Sequence, residues 1–269
     1  MKTRSGRPGR HRSGARLGQH FLTNPVVAHT VAEGAGVGIG TQVLEIGPGT
    51  GALTKVLLSL GGRVTAIEKD PALVARLTDT FASEIEAGAL RLIEADVRDV
   101  DPGALFDGEY ALAANIPYYI TGEIVRQFLT AAHKPTTMSL LMQKEVADRI
   151  VARDGKESIL SLSVKAYGTP RILRKVPPGN FSPPPSVNSA VLQIADISAR
   201  FFEDVDESRF FEVVRAGFSS KRKLLAGNLR HIVTDPAILL GRCGLDERAR
   251  AEDVPLAAWR EIAQITAQG

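Results

Sequence analysis

The sequence of 269 residues contains one cysteine and no long apolar run. The lone thiol, Cys243, excludes an internal disulfide framework and a site built from several thiolates, and its neighbours are not those of a catalytic cysteine. We therefore expect a cytoplasmic protein without a metal site. No stretch approaches the roughly 18 to 20 apolar residues of a membrane helix, and no apolar segment follows the basic amino terminus. Membrane insertion and export are not expected.

Acidic residues are absent from positions 1–16, although the net charge of the whole chain is only +3. A second stretch without acids, 213–234, contains Lys221, Arg222 and Lys223. Local positive clusters on a mildly acidic body favour a polyanion that is contacted at defined places. We expect a flexible basic tail over 1–16; the alternative is a merely solubilising arm. The candidate RNA contacts are Arg10, Arg12, Arg16, Lys221, Arg222 and Lys223.

From residue 41 to 194 the pattern alternates between short β-rich runs and stretches with helical spacing. Such alternation predicts a mostly parallel, doubly wound α/β sheet of Rossmann-like type, whose last strands form an antiparallel edge. The predicted strands are 41–46, 63–68, 90–96, 110–115, 137–142, 171–176 and 190–194. The predicted helices between them are 52–60, 71–81 (or to 86), 122–132 and 144–152.

After residue 203 the pattern is helical only, with predicted helices at 207–216, 224–232, 236–241 and 255–265. We therefore divide the chain into a basic tail (1–16), a sheet domain (17–198) and a small all-α domain (199–269).

A glycine-rich turn, Gly47-Pro48-Gly49-Thr50-Gly51, follows the first predicted strand. Such a turn lets the backbone pass close to a ligand at the carboxyl end of the strand, where doubly wound sheets bind nucleoside cofactors. Taken alone the signal is weak, because nicotinamide and flavin domains begin in the same way.

Polar side chains end the next three strands. Glu68 can take both hydroxyls of a ribose, Asp96 beside Val97 can accept from an adenine amino group, and Asn115 lies where the reactive end of a cofactor would be. The alternatives are a solvated turn at Glu68 and a turn cap at Asp96. Pro48 in the turn and the acid after the third strand fit S-adenosylmethionine, which has no phosphate, better than a dinucleotide.

The corner Asn115-Ile116-Pro117-Tyr118 carries the predicted chemistry. Hydrogen bonds from an adenine N6 amine to the Asn115 oxygen and to a main-chain carbonyl would make that nitrogen more nucleophilic. Pro117 stiffens the turn, and Tyr118 can stack on the base. The alternative is an Asn-Pro turn with a core tyrosine. Phe181, before three prolines, could cover the other face of a flipped base or could be a packing anchor.

Seven motifs occur in the order found in a known family. They are 17–22 (LGQHFL), 45–51 (EIGPGTG), 115–118 (NIPY), 141–147 (LMQKEVA), 181–185 (FSPPP), 218–225 (FSSKRKLL) and 250–256 (RAEDVPL). The chain resembles the KsgA/RsmA-type small-subunit ribosomal RNA adenine dimethyltransferases over essentially everything from residue 17 onward. The resemblance implies a class I methyltransferase fold with a small helical domain.

The resemblance also implies an activity: N6-dimethylation, with S-adenosylmethionine, of two adjacent adenosines in the 3′-terminal hairpin loop of 16S rRNA in the immature 30S subunit. A monomer is the family expectation. The implied catalytic residues are Asn115, Pro117, Tyr118 and Phe181. The implied cofactor contacts are His20, Leu22, Gly47, Gly49, Glu68, Asp96, Val97 and Asn115. Two positions depart from the family, which usually has Asn at 20 and more often has Asn at 119.

Three alternatives stay open. The related Erm group methylates one adenine of 23S rRNA and shares an arginine-rich amino-terminal arm, but the proline loop and the motifs at 218–225 and 250–256 are patterned as in the 16S group. A ribosome-assembly factor with little turnover is the second alternative, against which the intact Asn115 corner argues. A nicotinamide oxidoreductase is the third.

Overall fold

The computed structural model describes residues 20–267. The basic tail with Arg10, Arg12 and Arg16, and the first three residues of the motif at 17–22, lie outside the described residues. Within 20–267, every helix is too short or too polar to cross a lipid bilayer.

The described strands and helices match the predicted alternation. The strands are β1 (Phe21–Leu22), β2 (Gln42–Ile46), β3 (Arg63–Glu68), β4 (Leu90–Glu94), β5 (Ala111–Asn115), β6 (Thr137–Gln143), β7 (Thr169–Val176), β8 (Phe181–Ser182) and β9 (Ser189–Ala195). The helices are α1 (Pro25–Gly34), α2 (Ala52–Ser59), α3 (Pro71–Thr80), α4 (Ala82–Glu86), α5 (Thr121–Thr130), α6 (Lys144–Ile150), α7 (Ile159–Lys165), α8 (Glu207–Gly217), α9 (Leu225–Leu229), α10 (Pro236–Arg242) and α11 (Leu256–Ala267).

The main sheet has the strand order β4-β3-β2-β5-β6-β9-β7. The five strands from β4 to β6 are parallel, and β9 and β7 are antiparallel to their neighbours. The predicted doubly wound sheet with an antiparallel edge is therefore confirmed. The chain winds outward from β2 to β4 and then crosses to β5 on the other side of β2. A ligand is expected in the crevice at this reversal, outside the carboxyl ends of the strands.

Two apolar layers cover the two faces of the sheet. Alternate residues of β2 point to opposite faces, so that Val43 joins the layer of α1, α2 and α3, whereas Leu44 joins the layer of α5, α6 and α7. The parallel strands are thus buried on both faces, which explains their nearly continuous apolar sequence.

Several elements were missed or bounded differently. The sequence analysis did not predict α1, α7 or the short pair of β1 and β8. The helix predicted from residue 71 begins at Pro71, after its cap Asp70, as expected. It is interrupted at Phe81, whose backbone leaves the helical region (φ −116°, ψ 30°) while its ring is buried. Helix α9 is shorter than predicted and ends at Leu229.

The four carboxyl-terminal helices share a third apolar cluster around the buried ring of Trp259. Leu162 and Ala166 from the sheet part of the chain belong to the same cluster. The Tyr167 hydroxyl also donates to Glu207 Oε1 at 2.5 Å. The helical unit is therefore packed firmly on α7, while the boundary at 198/199 stays a prediction.

Candidate active site

A cavity opens at the carboxyl ends of β2, β3 and β5, where the reversal of the sheet predicts a ligand. Its volume is about 90 Å³. Its walls contain most of the predicted cofactor and base contacts. These are His20, Leu22, Gly47, Gly49, Glu68, Asn115, Pro117 and Tyr118.

The glycine turn forms one wall of this cavity. Its backbone conformation favours glycine at positions 47 and 49. Gly47 and Gly49 have φ values of +64° and +59°, a region that L side chains rarely adopt. A Cβ atom at Gly49 would also lie 3.0 Å from the ring of Phe21. The ring of Phe21 in β1 packs directly against the turn and leaves no room for a side chain at Gly49.

Glu68 lies at the end of β3 and is only 7% exposed. Its Oε1 accepts from the amides of Lys69 (2.9 Å) and Asp70 (3.0 Å), and its Oε2 accepts from the amide of Gly49 (3.2 Å). The carboxylate therefore braces the glycine turn, and Oε2 keeps capacity for a further hydrogen bond. The alternative of a solvated turn is wrong.

Glu45 is a site residue that the sequence analysis missed. It lines the cavity from β2, is 1% exposed, and neither carboxylate oxygen has a hydrogen-bond partner within residues 20–267. Burial raises the pKa of Glu45 to about 8, partly opposed by the nearby Thr54. The sequence did contain an indication of its role, because Glu45 is a charged residue within the largely apolar strand β2. A buried carboxyl group that lines a cavity suits a cationic ligand group, because the ligand's charge would lower the pKa again and favour the ionised carboxylate.

Asn115 is fixed by the segment that enters the site from the amino terminus. Its Nδ2 donates to the carbonyl oxygen of His20 at 3.0 Å. The amide orientation is assigned from this bond, and it leaves Oδ1 as the available acceptor. The imidazole Nδ1 of His20 in turn lies 2.8 Å from the carbonyl oxygen of Pro183. The predicted acceptor therefore occurs at the cavity in a fixed orientation.

The side chain of Tyr118 is half-buried and held in place. Its hydroxyl lies 2.7 Å from Ser189 Oγ, and its ring centroid lies 5.8 Å from that of His20. Burial raises the pKa of Tyr118, partly offset by the bond to Ser189. The sequence analysis missed Ser189, since nothing in its sequence neighbourhood indicates proximity to residue 118.

Phe181 does not line the cavity and is only 5% exposed. It pairs with Leu22 across β1 and β8 and belongs to the apolar cluster of α1 and α2. In this structure Phe181 is a packing anchor, which is the alternative given for it in the sequence analysis. Its contact with a base stays a prediction.

Asp96 and Val97 line a second cavity, which meets the first at Gly47, Glu68 and Pro117. Asp96 caps the turn after β4, accepting from the backbone and guanidinium of Arg98 and from Lys69 Nζ at 2.6 to 3.1 Å. These hydrogen bonds lower the pKa of Asp96 far below its usual range. The turn cap is therefore present, and the predicted adenine contact stays a prediction.

Lys221, Arg222 and Lys223 lie in the turn between α8 and α9, and all three are exposed. Among residues 20–267 none of them takes part in an ion pair, so their charges are available to a polyanion. Their contact with RNA stays a prediction.

Comparison with solved structures agrees with this geometry at the level of fold. The 23S rRNA methyltransferase ErmE superposes with a TM-score of 0.74 at 24% identity, covering 92% of this chain and 100% of that one. A dimethyladenosine transferase from Plasmodium falciparum gives 0.77 at 23% identity, covering 90% and 96%. Sheet order, glycine turn and the two superpositions thus define a class I methyltransferase fold.

Comparison of sequences narrows the class. The family model described as "Ribosomal RNA adenine dimethylase" matches residues 10–268. "Ribosomal RNA small subunit methyltransferase A" of Dehalococcoides mccartyi (strain CBDB1) is 40% identical over 252 residues, covering 91% of this chain and 86% of the relative. The protein of the same name from Caulobacter vibrioides is 36% identical over 255 residues, covering 94% and 97%. The chain belongs to the ribosomal RNA adenine dimethylase family.

Proposed function

We propose that this protein transfers methyl groups from S-adenosylmethionine to N6 of two adjacent adenosines in the 3′-terminal hairpin loop of 16S rRNA, acting on the immature 30S subunit as a cytoplasmic monomer. The observation that carries the proposal is the oriented amide of Asn115, whose Oδ1 remains available at the cavity. The name shared by the bacterial relatives supports the small-subunit substrate.

The residues of the first cavity fit S-adenosylmethionine. Glu68 offers a carboxylate to the ribose hydroxyls, and the buried Glu45 has no partner among the described residues until a cation such as the ammonium of the cofactor reaches it. The glycine turn leaves room where a side chain would intrude. When bound, the cofactor supplies an electrophilic methyl group on sulfur. Asp96 and Val97 are assigned to its adenine.

Asn115 prepares the target amine. Its Oδ1 accepts one N6 hydrogen, which reduces the delocalisation of the nitrogen lone pair into the ring and favours attack on the methyl carbon. Pro117 keeps the corner rigid, and Tyr118 offers its ring to one face of the base. Catalysis is therefore mainly positioning, with no strong general base, because the proton becomes acidic after attack.

Two further groups are assigned to RNA. Phe181 is the candidate for the second face of the base, which requires a shift of the proline loop since the ring is buried in the described structure. Lys221, Arg222 and Lys223, together with Arg10, Arg12 and Arg16 of the tail, are assigned to phosphates.

The test is methylation with labelled S-adenosylmethionine of separately purified undermethylated 30S and 50S particles, followed by mapping of the modified adenines. Dimethyladenosine at two adjacent positions in 30S alone supports the proposal. Label in 50S RNA would assign the protein to the 23S group, and tight 30S binding without label would make it an assembly factor.

A further inference from the structure

Tyr119 differs sharply from the tyrosine before it. Tyr118 is held by Ser189 and His20, whereas Tyr119 is 78% exposed and makes no hydrogen bond or ring contact within residues 20–267. An exposed aromatic ring without partners beside a ligand cavity is available to a flat ligand.

The ring is placed on the wall of the second cavity. Val97, in the turn after β4, lines the same cavity. Gln127 in α5 donates from Nε2 to the carbonyl oxygen of Val97 at 2.9 Å, and α5 begins at Thr121, just after Tyr119. This bond ties the turn after β4 to the helix that begins two residues after Tyr119.

The cavity between these walls suits a purine. Ile67, Val97 and Ile120 supply apolar surface for a flat ring. The charged residues of the lining are Glu68, Lys69, Asp70, Asp96 and Arg98. The exposed cations at the rim, Lys69 and Arg98, are both bound to Asp96 and are thus poorly placed to hold a phosphate.

The occupant follows from the shared residues of the two cavities. Glu68 lines both, so a ribose bound to its carboxylate has the methionine half of the cofactor on one side and the base on the other. We propose that Tyr119 is the outer wall of the adenine pocket of the cofactor, its ring turning over the purine face opposite Val97. This inference rests on the proposed use of S-adenosylmethionine.

The experiment is calorimetric binding of S-adenosylhomocysteine and of 5′-methylthioadenosine, which lacks the amino-acid half. Stacking on a base typically accounts for about a tenfold difference in affinity. We expect Tyr119→Ala to weaken both ligands by about tenfold and by the same factor. Tyr119→Phe, which keeps the ring, should bind within about twofold of wild type.

The matched control is Ile39→Ala, which removes a large exposed apolar side chain before the amino end of β2, outside the lining of both cavities. Equal binding of both ligands by wild type and Tyr119→Ala would overturn the inference, as would a loss confined to RNA affinity. Failure of the wild-type protein to bind S-adenosylhomocysteine would instead refute the cofactor assignment and the inference with it.

Discussion

Asn115 Nδ2 donates to the His20 carbonyl oxygen at 3.0 Å, joining two residues that are 95 positions apart in the chain. The bond uses the main chain of His20 and not its imidazole. The family departure at this position, His in place of the usual Asn, therefore leaves this contact intact. The imidazole has its own partner, the carbonyl oxygen of Pro183.

Replacement of Asn115 by Ala should abolish methylation while leaving RNA binding nearly unchanged, because it removes the acceptor and keeps the fold. We expect kcat/KM to fall by about 10² to 10³-fold or more, as for other fixed catalytic hydrogen bonds. Asn115→Asp should also be inactive, since a carboxylate cannot donate to the His20 carbonyl. Initial rates on 30S particles measure the effect, and retained activity in Asn115→Ala would refute the assigned mechanism.

Replacement of Glu68 by Gln should weaken cofactor binding by about tenfold, because a carboxylate that accepts charge-assisted hydrogen bonds becomes a neutral amide. Glu68→Ala should lose more, since three backbone amides also lose their acceptor. Glu94→Gln is the control: it alters the exposed carboxylate opposite Glu68 on the neighbouring strand. Equal calorimetric affinities for all four proteins would exclude Glu68 from the cofactor site.

Glu45 should make the protein less stable at alkaline pH. Its pKa is about 8 in the folded protein and near 4.5 when unfolded, so between these values the folded state binds more protons. Stability is therefore lost as pH rises through this window. Glu45→Gln should melt at the same temperature as wild type at pH 5 and at a higher temperature at pH 9, by roughly 2 to 4 °C per kcal/mol relieved. If the difference in melting temperature between Glu45→Gln and wild type were the same at pH 5 and pH 9, Glu45 would not be a buried ionisable group.

Neutralising Lys221, Arg222 and Lys223 together with Gln should reduce the slope of log affinity against log salt by about 2 to 3, since each phosphate contact contributes up to about 0.9. Deleting residues 1–16 should flatten the slope further. Arg91→Gln, an exposed cation on the edge strand β4, serves as the control. Filter binding of a 16S hairpin at several salt concentrations gives the slopes. Unchanged slopes would mean that neither residues 221–223 nor the tail 1–16 contacts RNA phosphates.

Gly217→Ala should destabilise the protein by about 1 to 3 kcal/mol, because an added Cβ would overlap the ring of buried Trp259. Gly227→Ala is a matched control within α9, where a Cβ would meet no atom within 4 Å. That change should be neutral or stabilising by up to about 1 kcal/mol, since alanine favours a helix. Urea denaturation gives the free energy of unfolding of both variants. Equal changes would mean that the side chains around Trp259 can shift to accommodate the added Cβ.

The sheet was predictable because local pattern determines it. Parallel strands buried on both faces appear as short apolar runs, and a polar residue at each strand end shows where the run stops, as at Glu68 and Asn115. Helix α3 was located by Pro71 after its cap. Helix α1 was missed even though it carries the same signal, with Pro25 following the cap Asn24. The two-residue strands β1 and β8 have no periodicity to detect.

The partners of the site residues were not predictable, because they come from distant segments. Ser189 reaches Tyr118 only through the antiparallel placement of β9 beside β6. The contacts of Asp96 show the converse: Arg98 is two positions away and could be foreseen, whereas Lys69 depends on the pairing of β3 with β4.

The pairing of Phe21 with Ser182 also sets an order of events during synthesis. Strand β1, which lines the cavity, is synthesised early, but its partner Ser182 follows 161 positions later. Until then the nascent sheet can form around β2, β3 and β4 while β1 has no partner strand. The cavity wall formed by β1 is therefore fixed late in translation, well after the central strands have been synthesised.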